Sequence, residues 1–127
     1  MSRKYSLWII DDDEGVVKSL VELLNDRGHK AAGFTDVWKI FSELSTDFPL
    51  ELPEVAIIDM VNHQMPGWQI CKKFRESLAL KKIKLVAMSG ILESEDAERM
   101  KLTADAFIRK PFSAEDLETT LDNLFMK

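Results

Sequence analysis

Short apolar runs alternate along this chain with longer stretches of helical period. Leu7-Trp8-Ile9-Ile10, Val55-Ala56-Ile57-Ile58, Leu85-Val86-Ala87-Met88 and Ala106-Phe107-Ile108 are the apolar runs. Runs this brief, without polar alternation, predict strands buried on both faces, as in a parallel sheet. Lys30 to Phe34 predicts a further short strand. Between the strands, apolar residues recur every third or fourth position. Val17, Leu20, Val21 and Leu24 predict a helix that Gly28 closes, since glycine accepts the left-handed conformation after a last turn. Thr35 or Asp36 would cap a second helix carrying Val37, Ile40, Phe41 and Leu44. Gly67 opens a third, with Ile70, Phe74 and Leu78 on one face. Ser94-Glu95-Asp96 would start a fourth that ends near Leu102. Ser113 caps a last helix with Leu117, Leu121, Leu124 and Phe125 inward. The pattern predicts one α/β domain over residues 1–127, a doubly wound five-stranded parallel sheet with five helices.

The polar residues that end the strands add chemistry to this scaffold. The first run ends in Asp11-Asp12-Asp13, the run at 55–58 in Asp59, the run at 85–88 in Ser89, and the last, after Arg109, in Lys110. In open α/β sheets the carboxyl ends of the strands converge on one crevice. Carboxylates crowded there repel one another, and a divalent cation removes the conflict. Oxygen-only ligands suit a hard ion, Mg²⁺ better than Ca²⁺. No His or Cys cluster supports zinc, because His29 and His63 fall in different βα units. A carboxylate beside such an ion can be a nucleophile toward phosphorus. Lys110 supplies a positive group, Ser89 a hydroxyl donor, and Gly90 leaves space. Asp13 and Glu14 read as helix-start charges.

Composition narrows the partners. Over 127 residues, 46% are apolar and 31% charged, which suits one domain with a continuous core. The net charge of −5 disfavours nucleic acid as a partner. No run approaches the ~20 apolar residues of a membrane span, and no secretory signal precedes the first strand. One cysteine, Cys71, excludes an internal disulfide, fits a reducing compartment and reads as a small buried hydrophobe. A cytoplasmic location is the expectation. Trp8, Trp38 and Trp68 read as packing residues.

With these residues in order, the chain resembles the response-regulator receiver domain of two-component signalling. The resemblance rests on Ile9-Ile10-Asp11-Asp12-Asp13, Ile57-Ile58-Asp59, Met88-Ser89-Gly90, Lys110-Pro111-Phe112 and Gly67. It implies a flavodoxin-like strand order 2-1-3-4-5 and Asp59 as phosphoacceptor. It implies Mg²⁺ held by Asp12 and Asp59 directly, by Asp11 through water, and by the backbone carbonyl of Val61. Ser89 and Lys110 would hold the phosphoryl group, and Phe107 matches the family's switch aromatic. The phosphoryl donor would be a histidine kinase or a histidine phosphotransfer protein. The reader of the switched face, helix 4, strand 5 and helix 5, would be a downstream protein, an output domain, or a second copy of the chain. The domain would catalyse only its own phosphorylation and slow dephosphorylation. Val61 and Ile91, the positions the resemblance places beside an approaching water, are apolar and cannot activate it.

One segment departs from the family. It often carries Met-Pro-Gly three to five residues after the phosphoacceptor, where Asn62-His63-Gln64 stand here, and Met65-Pro66-Gly67 follows. A competing reading is a receiver-like binding module that no longer uses phosphate. A small hydrolase with an aspartate nucleophile is a third, opposed by the lack of an Asp two residues after Asp59.

Overall fold

The computed structural model describes residues 3–43, 51–90 and 95–126. Strands β1 (Ser6–Ile10), β2 (Lys30–Phe34), β3 (Val55–Asp59), β4 (Lys84–Ser89) and β5 (Ala106–Arg109) alternate with helices α1 (Glu14–Asp26), α2 (Val37–Glu43), α3 (Gly67–Glu76), α4 (Glu95–Met100) and α5 (Ala114–Phe125). The strands form one parallel sheet in the order β2-β1-β3-β4-β5. Among the described residues no helix is long and apolar enough to cross a membrane.

Side chains of successive strand residues point to opposite faces, so each strand feeds two cores. Trp8, Ile10, Ala56, Ile58, Leu85 and Ala87 pack toward α2, α3 and α4 with Ile40, Ile70, Phe74 and Met100. Leu7, Ile9, Val55, Ile57, Val86, Met88 and Ile108 pack toward α1 and α5 with Val17, Leu24, Leu117 and Leu121. This two-sided burial explains why the strands read as continuous apolar runs. Cys71 is fully buried, and burial pushes its thiol up to about 12, so it packs as a small hydrophobe.

The caps follow local chemistry. Asp13 accepts the Gly15 and Val16 backbone N–H groups at 2.9 and 3.2 Å, which starts α1. Ser113 and Asp116 form a reciprocal capping box at α5. Gly28 takes φ +93° after α1. Two helices end sooner than their periodicity predicts. Leu78 lies beyond α3 and is 87% exposed, and Leu102 lies beyond α4 and is 84% exposed. In both cases turn hydrogen bonds, Leu80 N–H to the Ser77 carbonyl and Thr103 N–H to the Met100 carbonyl, redirect the chain before the next apolar position faces the core. Trp38 also differs from its reading as a packing residue, being half exposed on α2 with Lys73 over its ring. Leu44 lies outside the described residues.

At the end of the sheet away from the strand carboxyl termini, a charged network ties α5 to the α1–β2 turn. Glu118 accepts from Arg27 Nη2 at 2.6 Å and Nε at 3.2 Å. The buried His29 ring accepts the Tyr5 N–H at Nδ1, 3.1 Å, so its proton sits on Nε2 and donates to Glu118 at 2.7 Å. The Arg27 hydrogen bond, with that of His29, holds the Glu118 carboxyl at about 2, far below its ordinary 4.5. A carboxyl lowered in the folded state stabilises above its unfolded value and loses that stabilisation as pH falls toward the folded one. Glu118→Ala is therefore expected to lower unfolding free energy at pH 6 by about 2 kcal/mol. That is less than the ~3–5 kcal/mol of a fully buried pair, because Arg27 is partly exposed and screened. In urea unfolding, the gap between native protein and variant should narrow between pH 5 and pH 2. A gap that stays constant over that window would exclude the ionised network.

Candidate functional site

The parallel sheet delivers its polar strand ends to one side. Asp59 is the last residue of β3, and Asp11 extends β1 by one residue, its N–H donating to the Phe34 carbonyl at 3.2 Å. Lys110 follows β5, its N–H donating to the Ser89 carbonyl at 2.8 Å. The Lys110–Pro111 peptide bond is cis. The side chains converge as a result. Carboxylate oxygens of Asp11, Asp12 and Asp59 all lie within 4.8 Å of one another, a group that can hold a metal ion. Lys110 Nζ donates to Asp59 Oδ1 at 3.2 Å and stands 3.5 Å from Asp11 Oδ2. A cavity of about 450 Å³ opens over the group, lined also by Val61, His63 and Gly90.

Electrostatics sets the character of this crevice. Asp11 is buried, Asp59 nearly so, and Asp12 half-buried. Two carboxylates 4 Å apart repel by about 4 kcal/mol at an effective dielectric near 20. One ammonium, itself partly exposed, faces three carboxylates. Burial first, and the Asp11 charge second, raise the Asp59 carboxyl above its usual range, with Lys110 opposing. The set therefore keeps uncompensated negative charge, and its donors are all hard oxygens. Both properties fit a divalent cation of the Mg²⁺ class.

The remaining expected residues are placed differently. Ser89 ends β4 and is buried, and Gly90 forms the cavity wall on that side. Phe107 is half-buried on the α4 side of the sheet, opposite Ala87 in β4. Val61 is 66% exposed, and its N–H donates to Asp59 Oδ1 at 3.4 Å. Ile91 lies outside the described residues. Asp13 is the α1 cap described above, and it also borders the cavity.

The segment from Met60 to Pro66 has its own anchoring. Met60, Asn62 and Met65 turn inward, and Val61 and His63 turn outward. The His63 backbone N–H donates to Asp12 Oδ2 at 2.7 Å. Gln64 Oε1 accepts the Val37 N–H at 2.8 Å, capping α2 together with Asp36, which accepts from Trp38 N–H at 3.0 Å. A Gln that caps a helix from a distant loop leaves no local sequence signal. Gly67 closes the segment. A Cβ there would come within 2.7 Å of the Asp59 carbonyl oxygen, so only glycine lets α3 start this close to β3.

Known proteins supply an independent comparison. Residues 7–122 match the family model described as the response regulator receiver domain. Response regulator Rre1 of Synechocystis is 27% identical over 132 aligned residues, covering 100% of this chain and 54% of that protein. The sensor kinase CckA of Brucella abortus is 29% identical, covering 100% of this chain and 13% of that protein. The chain spans about half the length of the regulator relatives it matches. The chemotaxis protein CheY4 of Vibrio cholerae has the same fold, with a TM-score of 0.80 at 20% identity, covering 97% of this chain and 100% of that one.

The raised Asp59 carboxyl has a consequence for stability. A carboxyl raised on folding opposes the folded state wherever it is ionised, and the opposition disappears once pH falls below its unfolded value. Without divalent ions at pH 7, Asp59→Asn is expected to raise the thermal midpoint by a few degrees. The gain should vanish in acid below the ordinary aspartate value of 3.8. A variant less stable than the native protein at pH 7 would contradict the charge conflict.

Proposed function

The chain belongs to the response regulator receiver domain family, and from that premise we propose that it is the phosphoacceptor of a two-component phosphorelay. The observation that carries this reading is Lys110 Nζ at 3.2 Å from Asp59 Oδ1, beside three converging carboxylates. Asp59 attacks the phosphorus of a partner phosphohistidine in line. The bond from Asp59 oxygen to phosphorus forms, the phosphorus–nitrogen bond breaks, and the imidazole leaves. Lys110 steadies one phosphoryl oxygen, and the Ser89 hydroxyl another. Asp12 and Asp59 would hold Mg²⁺ directly, Asp11 through water, and the Val61 carbonyl would add a backbone ligand. When bound, the ion supplies positive charge to the phosphoryl oxygens.

An apolar groove of about 770 Å³, walled by Leu20, Pro111 and Phe112, adjoins Lys110 and supports docking of the histidine kinase or phosphotransfer protein there. Ser89 and then Phe107 would move toward the phosphoryl group, remodelling the face of α4, β5 and α5. A downstream protein, an output domain or a second copy of the chain would read that face in the cytoplasm. The binding-module alternative is not favoured, because the carboxylates and the ammonium share one crevice.

Two experiments test the proposal. Incubation with acetyl phosphate and Mg²⁺ should add one phosphoryl mass to the native protein and none to Asp59→Asn. Under donor excess, an unchanged native mass would defeat the reading. The lifetime of the adduct should be long, because the exposed Val61 offers no group to activate a water. Val61→Asn combined with Ile91→Glu should shorten it, and an unchanged rate of loss would remove both positions from the account.

A further inference from the structure

His63 is a metal-binding side chain that the site described above leaves unused. Its backbone N–H is fixed on Asp12 Oδ2 at 2.7 Å, so the residue cannot drift from the crevice. Its imidazole Nε2 lies 3.9 Å from the same oxygen. The ring is 91% exposed and borders the cavity that Asp11, Asp12 and Asp59 share. The pivot is held while the ring is free to turn.

The separation suits a shared ion. Two ligand atoms bound at ~2.1 Å stand about 3.0 Å apart when adjacent in an octahedron and about 4.2 Å when opposite. The 3.9 Å between Nε2 and Asp12 Oδ2 is neither spacing but lies nearest the opposite one, so the exposed ring reaches a ligating position only by turning about its side-chain bonds. Mg²⁺ prefers oxygen and retained water, whereas later first-row divalent ions take imidazole readily. Resting on the reading of the three aspartates as a cation site, we propose that His63 is a nitrogen ligand that biases the site from Mg²⁺ toward borderline divalent ions such as Co²⁺ and Fe²⁺. The ion would then sit under the β3–α3 loop and brace it against Asp12.

The test uses untagged protein without phosphoryl donor. Calorimetric titrations with MgCl₂ and CoCl₂ give the ratio of the two affinities for native protein and His63→Ala. The variant removes an exposed ring and keeps the backbone N–H to Asp12. It should lower the Co²⁺ preference about tenfold while leaving Mg²⁺ affinity within about twofold. Proton NMR of the Co²⁺ form should show far-shifted imidazole ring C–H resonances that the variant lacks. His29 cannot supply that signal, because both of its ring nitrogens are engaged by Tyr5 and Glu118. If Mg²⁺ binds but the ratio and the spectrum do not change in the variant, His63 is not a ligand and the proposal is overturned. If neither ion binds the native protein, the cation site itself is refuted and the proposal with it.

Discussion

Crowding of like charge at the carboxyl end of the sheet is the constraint on which the rest of this structure turns. Asp11 and Asp59 are held nearly out of water, within reach of each other and of Asp12. Carboxylates held so far from water need counter-charge. Lys110 supplies part of it, through contacts with both Asp11 and Asp59. The remainder is what a divalent cation would supply. The same imbalance that raises the Asp59 carboxyl makes the crevice selective for positive partners.

The rigid sheet sustains this arrangement. Asp59 cannot relax away, because β3 is the central strand and pairs with both β1 and β4. Asp11 is locked by its own backbone bond to Phe34, and its Oδ1 accepts the Asp13 N–H at 3.0 Å. Lys110 is locked through Ser89. At the opposite end, Glu118, Arg27 and His29 join α5 to the α1–β2 turn. Both ends of the domain therefore carry polar networks, but with opposite balance. The far network pairs Glu118 with Arg27 and His29, whereas the near one keeps unmatched negative charge.

Much of this is legible in the residues alone. Continuous apolar runs report two-sided burial, so the strands and the layers follow from Ile9, Ile57 and Val86 as directly as from Leu7 or Val55. The polar residue after each run reports the crevice, because parallel strands all point the same way. Periodicity fails where turns intervene, as at Leu78 and Leu102, since hydrophobic spacing carries no information about where a helix stops. It fails again for long-range polar partners. Nothing in Gln64 signals that it caps α2, and nothing in His29 signals a bond to Glu118. Such contacts depend on how elements dock, which local pattern does not encode. The strand order 2-1-3-4-5 came from family likeness, and the structure has that order. The roles proposed for Ser89, Phe107, Val61 and Ile91 rest on the same likeness.

The measurement that reaches the central claim most directly is a crystal structure grown with Mg²⁺ and beryllofluoride, a mimic of the phosphoryl group. The account predicts beryllium bonded to an Asp59 carboxylate oxygen, Lys110 Nζ and the Ser89 hydroxyl on its fluorides, and Mg²⁺ held among the three aspartates. Beryllofluoride absent from Asp59, or Mg²⁺ bound away from the three aspartates, would contradict it.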